Sequence, residues 1–243
     1  NLDLVAIHAH SGFPLRTSAD LDMHVDAVLD AVFDLAEQTE WLPTVLDLGG
    51  SLVCAVTEPP EAPTPLSIAE GIERSEARVA GRWPDGRSVP ALAFEPGKAL
   101  TAHTQLLLAS VLDVADDIAD DGSDGVATVT LDIGVGLAEP LRGEHHDVYN
   151  VTTPRGAPSA VRLVGPGGVA DQLTEPMLLA QPSVGDVLAV MDTGAYFVPF
   201  SRAGDRHRPA IVVAEPDGEV TVARLAESTA HTERLERSAV AER

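Results

Sequence analysis

Cysteine and lysine are almost absent from this 243-residue sequence. The single cysteine, Cys54, excludes a disulfide framework and a zinc site built from cysteines. It fits a reducing compartment, and we therefore expect a cytoplasmic protein. Lys98 is the one lysine, and the formal net charge is −22. An acidic surface repels phosphate groups, which argues against nucleic acids and anionic membranes as partners.

Long apolar runs are also missing. None reaches the roughly 18 residues that a membrane span needs, and no signal peptide opens the chain. The chain starts at Asn1, directly before a strand-like segment, so we expect further sequence upstream. The hydrophobic content of 44% is sufficient for a substantial core.

The first hundred residues alternate between strand and helix patterns. Apolar runs predict strands at residues 2–7, 44–48 and 91–95, and helical periodicity predicts helices at 18–38 and 66–81. This order is typical of an α/β fold with a parallel sheet. Thr17 or Ser18 is the predicted cap of the first helix. The apolar positions predicted to share the buried face of that helix are Leu21, Val25, Val28, Val32 and Leu35.

After about residue 100 the segments become short and β-branched, and glycine-rich turns separate them. This pattern indicates an all-β barrel or sandwich. From residue 227 onward the chain is polar. We therefore divide it into domains at 1–100 and 101–226 and a polar tail at 227–243. The predicted strands of the second region are 106–114, 126–132, 148–152, 160–164, 187–191, 211–214 and 220–225.

Two histidines follow the first predicted strand. Residues two apart on a strand face the same side, so His8 and His10 could bind one metal ion, as in a metal-dependent hydrolase. Alternatively, one histidine packs and the other faces a pocket. We favour the second interpretation because the sequence shows no further histidine ligand at the later strand ends.

Three further groups of residues suggest a phosphorylated cofactor. Gly49 and Gly50 end a strand, where backbone amides can bind phosphate or simply form a tight turn. The segment Glu95-Pro-Gly-Lys98 places a carboxylate where it can pair with a cofactor ring nitrogen, although the acid and the base could also form a surface ion pair. The hydroxyl of Tyr196 can bind phosphate, or the ring can lie at a rim.

Taken together, these motifs resemble those of a known family. In order they read His-x-His-x-Gly, Leu-Asp-Leu-Gly-Gly, Glu-Pro-Gly-basic, Gly-Pro, Gly-Asp-x-Leu, Asp-x-Gly-Ala-Tyr and Arg-Pro. The sequence resembles the fold-type III pyridoxal-phosphate decarboxylases, which include the diaminopimelate, ornithine and arginine decarboxylases, from about residue 4 to residue 214.

The resemblance implies an alanine racemase-like fold, in which a (β/α)8 (TIM) barrel is followed by a β domain. It also implies a homodimer that shares active sites between subunits. Only the last part of the barrel is present in this sequence. The family's pyridoxal-binding lysine lies on an early strand outside it, and Lys98 is not that lysine.

The resemblance also implies roles for individual residues. His10 would stack on the pyridine ring, and Glu95 would pair with the ring nitrogen. Asp171 would be the acidic residue near the dimer interface, counted with His10 and Glu95 as catalytic. The residues expected to contact the cofactor, pyridoxal 5'-phosphate, are His10, Gly49, Gly50, Glu95, Gly97, Lys98 and Tyr196; no metal is expected.

Several positions depart from the family pattern. Ser51 stands in the third place of a glycine turn, and Phe13 stands where serine is usual. Glu139 replaces an arginine that holds a substrate carboxylate, and no cysteine follows Gly165-Pro166. The sequence therefore predicts a pyridoxal-phosphate-dependent amino-acid decarboxylase-like lyase whose substrate is open. A non-catalytic regulatory or scaffold protein is the alternative.

Overall fold

A computed structural model of the protein describes residues 2–12, 14–15, 17–52, 65–115, 125–152, 156–202, 207–231 and 233–234. The chain folds into two compact units. The first comprises residues 1–107, 145–147 and 190–195, and the second comprises 108–144, 148–189 and 196–243. Within the described ranges, no helix is both long and apolar enough to cross a membrane.

The first unit is built on a three-stranded parallel sheet. Its strands are β1 (Ala6–His8), β2 (Val45–Asp47) and β3 (Ala91–Ala93), paired in the order β1-β2-β3. Helix α1 (Ser18–Thr39) connects β1 to β2, and α2 (Pro65–Arg82) connects β2 to β3. The predicted α/β pattern is confirmed, but each strand is shorter than predicted. Residues 2–5 precede β1 and are exposed.

Helix α1 begins where its sequence provides a capping box. The Thr17 hydroxyl accepts a hydrogen bond from the Asp20 amide, and the Asp20 carboxylate accepts one from the Thr17 amide. Its buried side chains are Leu21, Val25, Val28, Leu29 and Val32. The prediction was wrong at Leu35, which is 38% exposed. The buried face includes Leu29 instead, which is fully buried.

A row of ion pairs joins α1 to α2. Asp26 accepts hydrogen bonds from Arg78, at 2.5 Å, and from Arg82, at 3.0 Å. The hydrogen bond from Arg78 is the largest influence, and it lowers the pKa of Asp26 to about 2. Two further aspartates extend the row toward both ends of α2. The pairs are Asp22–Arg74, Asp22–Arg78, Asp26–Arg78, Asp26–Arg82 and Asp30–Arg82.

A short helical segment follows β3. Helix α3 (Gly97–Thr101) leads into a 3-10 turn (Ala102–Thr104). The core of the first unit lies between its sheet and helices. Its buried members are Leu15, Leu21, Val25, Val28, Leu29, Val32, Leu46, Leu48, Leu52, Val79 and Trp83.

The β region contains a six-stranded mixed sheet and a separate two-stranded ribbon. The sheet order is β6-β9-β4-β5-β7-β8, with β5 and β7 parallel and β4–β5 and β7–β8 antiparallel. The ribbon pairs β10 with β11 antiparallel. The strands are β4 (Leu107–Ala115), β5 (Ala127–Leu131), β6 (Val148–Asn150), β7 (Pro158–Val164), β8 (Met177–Ala180), β9 (Val187–Val190), β10 (Ile211–Ala214) and β11 (Val220–Arg224).

Three features of this region were not predicted from the sequence. Strand β8 has no β-branched residue, so its propensity signal is weak. Helices α4 (Val135–Ala138) and α5 (Phe197–Phe200) have only four residues each, too few to show helical periodicity. Most of the predicted polar tail lies outside the described residues.

Candidate functional site

The register of the parallel sheet brings three chain segments together. His8 is paired with Asp47, and Asp47 is paired with Ala93, in one row across β1, β2 and β3. Two residues further along each chain come His10, Gly49 and Glu95. Backbone hydrogen bonds continue the ladder to this point, because the Glu95 amide donates to the Gly49 carbonyl at 2.8 Å. These residues therefore meet at the carboxyl edge of the sheet, where parallel α/β folds carry their sites.

The two glycines allow this close approach. A Cβ atom on Gly49 would lie 2.8 Å from the Ala9 carbonyl oxygen, and one on Gly50 would lie 2.7 Å from the Glu95 carbonyl oxygen. Both amides have partners within the site: Gly49 donates to the Asp47 carboxylate and Gly50 donates to His10. The glycines thus allow three strand ends to approach closely, while binding of a phosphate by this turn stays a prediction.

The imidazole of His10 is fixed by two hydrogen bonds. Its Nδ1 accepts from the Gly50 amide at 3.2 Å, so the other ring nitrogen carries the proton. Nε2 then donates to the Ser51 hydroxyl at 2.9 Å. This pattern assigns a neutral ring of defined plane. A neutral ring can stack on a protonated pyridine without repulsion between like charges.

His8 and Glu95 complete the edge of the site. Nε2 of His8 lies 3.3 Å from Oε2 of Glu95, and about half of each side chain is exposed. Ligand atoms of His8, His10 and Glu95 all lie within 4.8 Å of one another, close enough to consider a metal ion. However, the Nδ1 lone pair of His10 is engaged by Gly50, and its Nε2 carries hydrogen. A metal would have to break one of these hydrogen bonds, so the observed geometry disfavours His10 as a metal ligand, while its stacking on a cofactor ring stays a prediction.

Gly97 and Lys98 lie directly after Glu95 and Pro96. The Gly97 amide donates to the Glu95 carbonyl at 2.8 Å, forming a tight turn into α3. A Cβ on Gly97 would meet no atom within 4 Å, so local packing does not require glycine there. Lys98 is half-buried. The structure thus places both residues beside Glu95, while contact of either residue with a phosphate stays a prediction.

Tyr196 belongs to the second unit. It has a positive φ of 69°, which is uncommon for a residue other than glycine, and its ring stacks on Phe200 with centroids 5.4 Å apart. Both rings line a cavity of about 710 Å³. Glu139 lines the same cavity and pairs with Arg202 at 3.4 Å. The acid that replaces the expected arginine therefore faces a cavity that Tyr196 also lines.

Asp171, also in the second unit, is held by backbone groups. Its Oδ1 accepts from the Val135 amide at 2.7 Å, and its Oδ2 accepts from the Gly167 amide at 3.3 Å. A Cβ on Gly165 would lie 2.0 Å from Oδ2. The hydrogen bonds connect the segment that contains Asp171 to the start of α4, and the absence of a Cβ at Gly165 leaves room for the carboxylate. The observed role is anchoring, and the catalytic role of Asp171 stays a prediction.

Sequence reasoning missed two polar pairs in the first unit. Ser51, considered only as a departure from the family's glycine, orients His10 and has a positive φ of 67°. That conformation explains why glycine is usual there. His103 Nδ1 lies 2.6 Å from Asp192, 89 positions away in the sequence, and no local pattern announces such a pair.

Comparison with known proteins identifies the fold. A crystal structure of diaminopimelate decarboxylase from Methanocaldococcus jannaschii matches with a TM-score of 0.74 at 24% identity, covering 94% of this chain and 51% of that chain. The Helicobacter pylori enzyme complexed with L-lysine matches with a TM-score of 0.70 at 20% identity, covering 97% of this chain and 55% of that chain. The fold class is therefore confirmed as barrel segment plus β domain.

Sequence comparison agrees with the structural match. The diaminopimelate decarboxylase of Archaeoglobus fulgidus is 32% identical over 219 residues, covering 88% of this chain and 49% of the relative. No protein-family model matches the chain. The chain spans about half the length of the curated relatives that it matches. The resemblance to the fold-type III pyridoxal-phosphate decarboxylases is therefore confirmed over the part of those proteins that this chain spans, and the relatives named above are diaminopimelate decarboxylases.

Proposed function

We propose that the protein binds pyridoxal 5'-phosphate and decarboxylates an amino acid. The observation that carries the proposal is the convergence of His10, Gly50 and Glu95 at one sheet edge, with the imidazole held neutral and the carboxylate accessible. When bound, the cofactor supplies a pyridine ring that accepts the electrons left as carbon dioxide departs.

The described residues fit this group. Glu95 extends from the end of β3 with about half of its side chain exposed, so a ring nitrogen can reach it. A carboxylate beside that nitrogen favours its protonated form. His10 fixes the plane of the ring, and Lys98 offers a positive charge for the phosphate. Tyr196 is the proposed hydroxyl donor to the same phosphate.

We further propose that the substrate carries no carboxylate at the end that faces Glu139. The acid would repel such a group, while an amine or a neutral end would be tolerated. On this proposal, diaminopimelate is a poor substrate. The resemblance supports a homodimer with shared active sites, which we propose for the full-length protein.

Cofactor titration of the full-length protein tests the proposal. Bound pyridoxal phosphate gives a visible absorbance, so saturation at one equivalent per chain is expected. Glu95→Gln should weaken binding and lower turnover by at least about 10²-fold, the lower end of the range for a proton-handling group. Glu76→Gln, an exposed acid on α2, is the matched control and should change neither. Absence of any saturable uptake by the wild-type protein would refute the proposal.

A non-catalytic decarboxylase-like role is the second candidate. It is favoured by the sequence after Gly165-Pro166, which has no cysteine, and by the engagement of both Asp171 oxygens with backbone amides. This alternative predicts cofactor uptake without release of carbon dioxide from any of the common amino acids. Carbon dioxide release from one of them, lost in Glu95→Gln, would exclude it.

A further inference from the structure

A buried carboxylate joins two distant segments of the first unit. Asp192 is 5% exposed, and its Oδ1 accepts a hydrogen bond from His103 Nδ1 at 2.6 Å. Its other oxygen, Oδ2, is buried and has no partner among the described residues. The His103 ring, in contrast, is 39% exposed. His103 is therefore the side-chain donor that compensates this buried charge.

Two backbone hydrogen bonds flank the pair. The Thr193 amide donates to the Gln105 carbonyl and the Gly194 amide to the Ala102 carbonyl, each at 2.9 Å. A Cβ on Gly194 would lie only 1.9 Å from the Thr101 carbonyl oxygen, so the two segments touch through backbone atoms. We call this set of three hydrogen bonds the 103–192 latch.

Asp192 also adopts an unusual backbone conformation. Its φ is +60°, a region that residues other than glycine occupy uncommonly, although aspartate enters it more readily than most. Strain of this kind persists only where the surroundings compensate for it, and it is concentrated at functional sites. The hydrogen bond from His103 is one of the contacts that surround this residue.

The latch lies at the end of a helix that is too short to be stable in isolation. Helix α3 has five residues and is followed by a three-residue 3-10 turn, far below the length at which a helix is stable alone. At its start, the Glu95 amide is bound to Gly49. At its end, the chain is bound to residues 192–194 through the latch. The segment from Glu95 through Lys98 lies between these two attachments.

We propose that His103 and Asp192 are positioning residues that hold Glu95, Gly97 and Lys98 in place for the ligand that this edge binds. The part of the proposal concerning cofactor affinity rests on the proposed function. The part concerning the order of α3 stands independently, because it concerns the protein without any ligand.

Substitution of His103 tests both parts. His103→Ala removes the donor, whereas His103→Asn keeps an N–H close to the position of Nδ1. Val79→Ala is the matched control. Val79 is fully buried in α2, so its truncation creates a cavity away from the latch. Hydrogen exchange of peptides covering residues 95–102 and the affinity for pyridoxal phosphate are measured on each full-length variant, below its unfolding temperature.

We expect His103→Ala to speed exchange across 95–102 and to weaken cofactor affinity about tenfold, the factor that matches loss of a hydrogen bond to a charged group. His103→Asn should restore both, and Val79→Ala should leave both within about twofold, since it acts on overall stability alone. Unchanged exchange in His103→Ala would refute the latch, whether or not the cofactor binds. Faster exchange with unchanged affinity would refute its role at the ligand site. A wild-type protein that takes up no cofactor would overturn the proposed function, while the exchange data would still decide the latch.

Discussion

Gly50→Ala is the substitution that most directly challenges the geometry of the sheet edge. The added methyl group would lie 2.7 Å from the Glu95 carbonyl oxygen and 3.4 Å from His10 Cε1. The first of these is a backbone atom, so it cannot move aside like a flexible side chain. The Gly50 amide itself is retained. The change therefore separates Glu95 and His10 without removing any hydrogen-bonding group.

The overlap sets the expected loss in the free energy of unfolding of Gly50→Ala. Overpacking of a tight site costs about 1–3 kcal/mol of the free energy of unfolding. Gly81→Ala provides the matched control, because its added methyl group meets no atom within 4 Å in the last turn of α2. There alanine should stabilise the helix by up to about 1 kcal/mol. The two variants should thus differ by about 1–4 kcal/mol, with opposite signs relative to the wild type.

Urea denaturation and cofactor titration together measure this effect. The unfolding midpoint should fall in Gly50→Ala and should not fall in Gly81→Ala. The affinity for pyridoxal phosphate should fall only in Gly50→Ala, because Glu95 and His10 no longer face the same ring. A Gly50→Ala protein as stable as Gly81→Ala, with unchanged cofactor affinity, would show that the three strand ends do not approach as described.

Three further predictions concern stability and specificity. The Asp26–Arg78 pair stabilises the protein above the ordinary aspartate pKa of about 4, and this stability is lost as the pH falls toward about 2. Asp26→Asn should therefore flatten the pH dependence of the urea unfolding midpoint between these two pH values. An unchanged slope would contradict this prediction. Leu29→Ala should cost about 2–5 kcal/mol, whereas Leu35→Ala should cost little, as measured by denaturant unfolding; equal losses would contradict the observed helix face. Glu139→Arg should improve turnover of substrates with a distal carboxylate relative to those with a distal amine, and an unchanged ratio would remove Glu139 from substrate choice.

The local pattern of the sequence was sufficient to predict the sheet edge. Apolar runs followed by glycine or Pro-Gly placed the ends of β2 and β3 within about two residues of where they lie, and the carboxyl ends of parallel strands share one edge. The predicted proximity of His10, Gly49, Gly50 and Glu95 agrees with the structure. The register could not be predicted, because apolar runs that are buried on both faces do not specify which residues are paired.

Pairs that depend on tertiary packing could not be predicted from local pattern. Three aspartates of α1 meet the arginines of α2, more than 40 positions away in the sequence, and no local pattern indicates these pairs. His103 and Asp192 are further apart still. Helical periodicity predicted that α1 has a buried face, but it assigned Leu35 to that face and missed Leu29.

The sequence predicted that Gly49 and Gly50 contact the cofactor, and this contact stays a prediction. Their amides have intramolecular partners, and their lack of a Cβ is what the site requires. Sequence alone does not distinguish a glycine that binds a phosphate from a glycine that lets a neighbouring strand approach, because both requirements select glycine at the end of a strand.

The most direct test of the central claim is a crystal structure of the full-length protein grown with pyridoxal phosphate. The account predicts the pyridine ring against the imidazole face of His10, with its nitrogen within hydrogen-bonding distance of Glu95. Density for the cofactor elsewhere, with His10 and Glu95 both facing solvent, would contradict it.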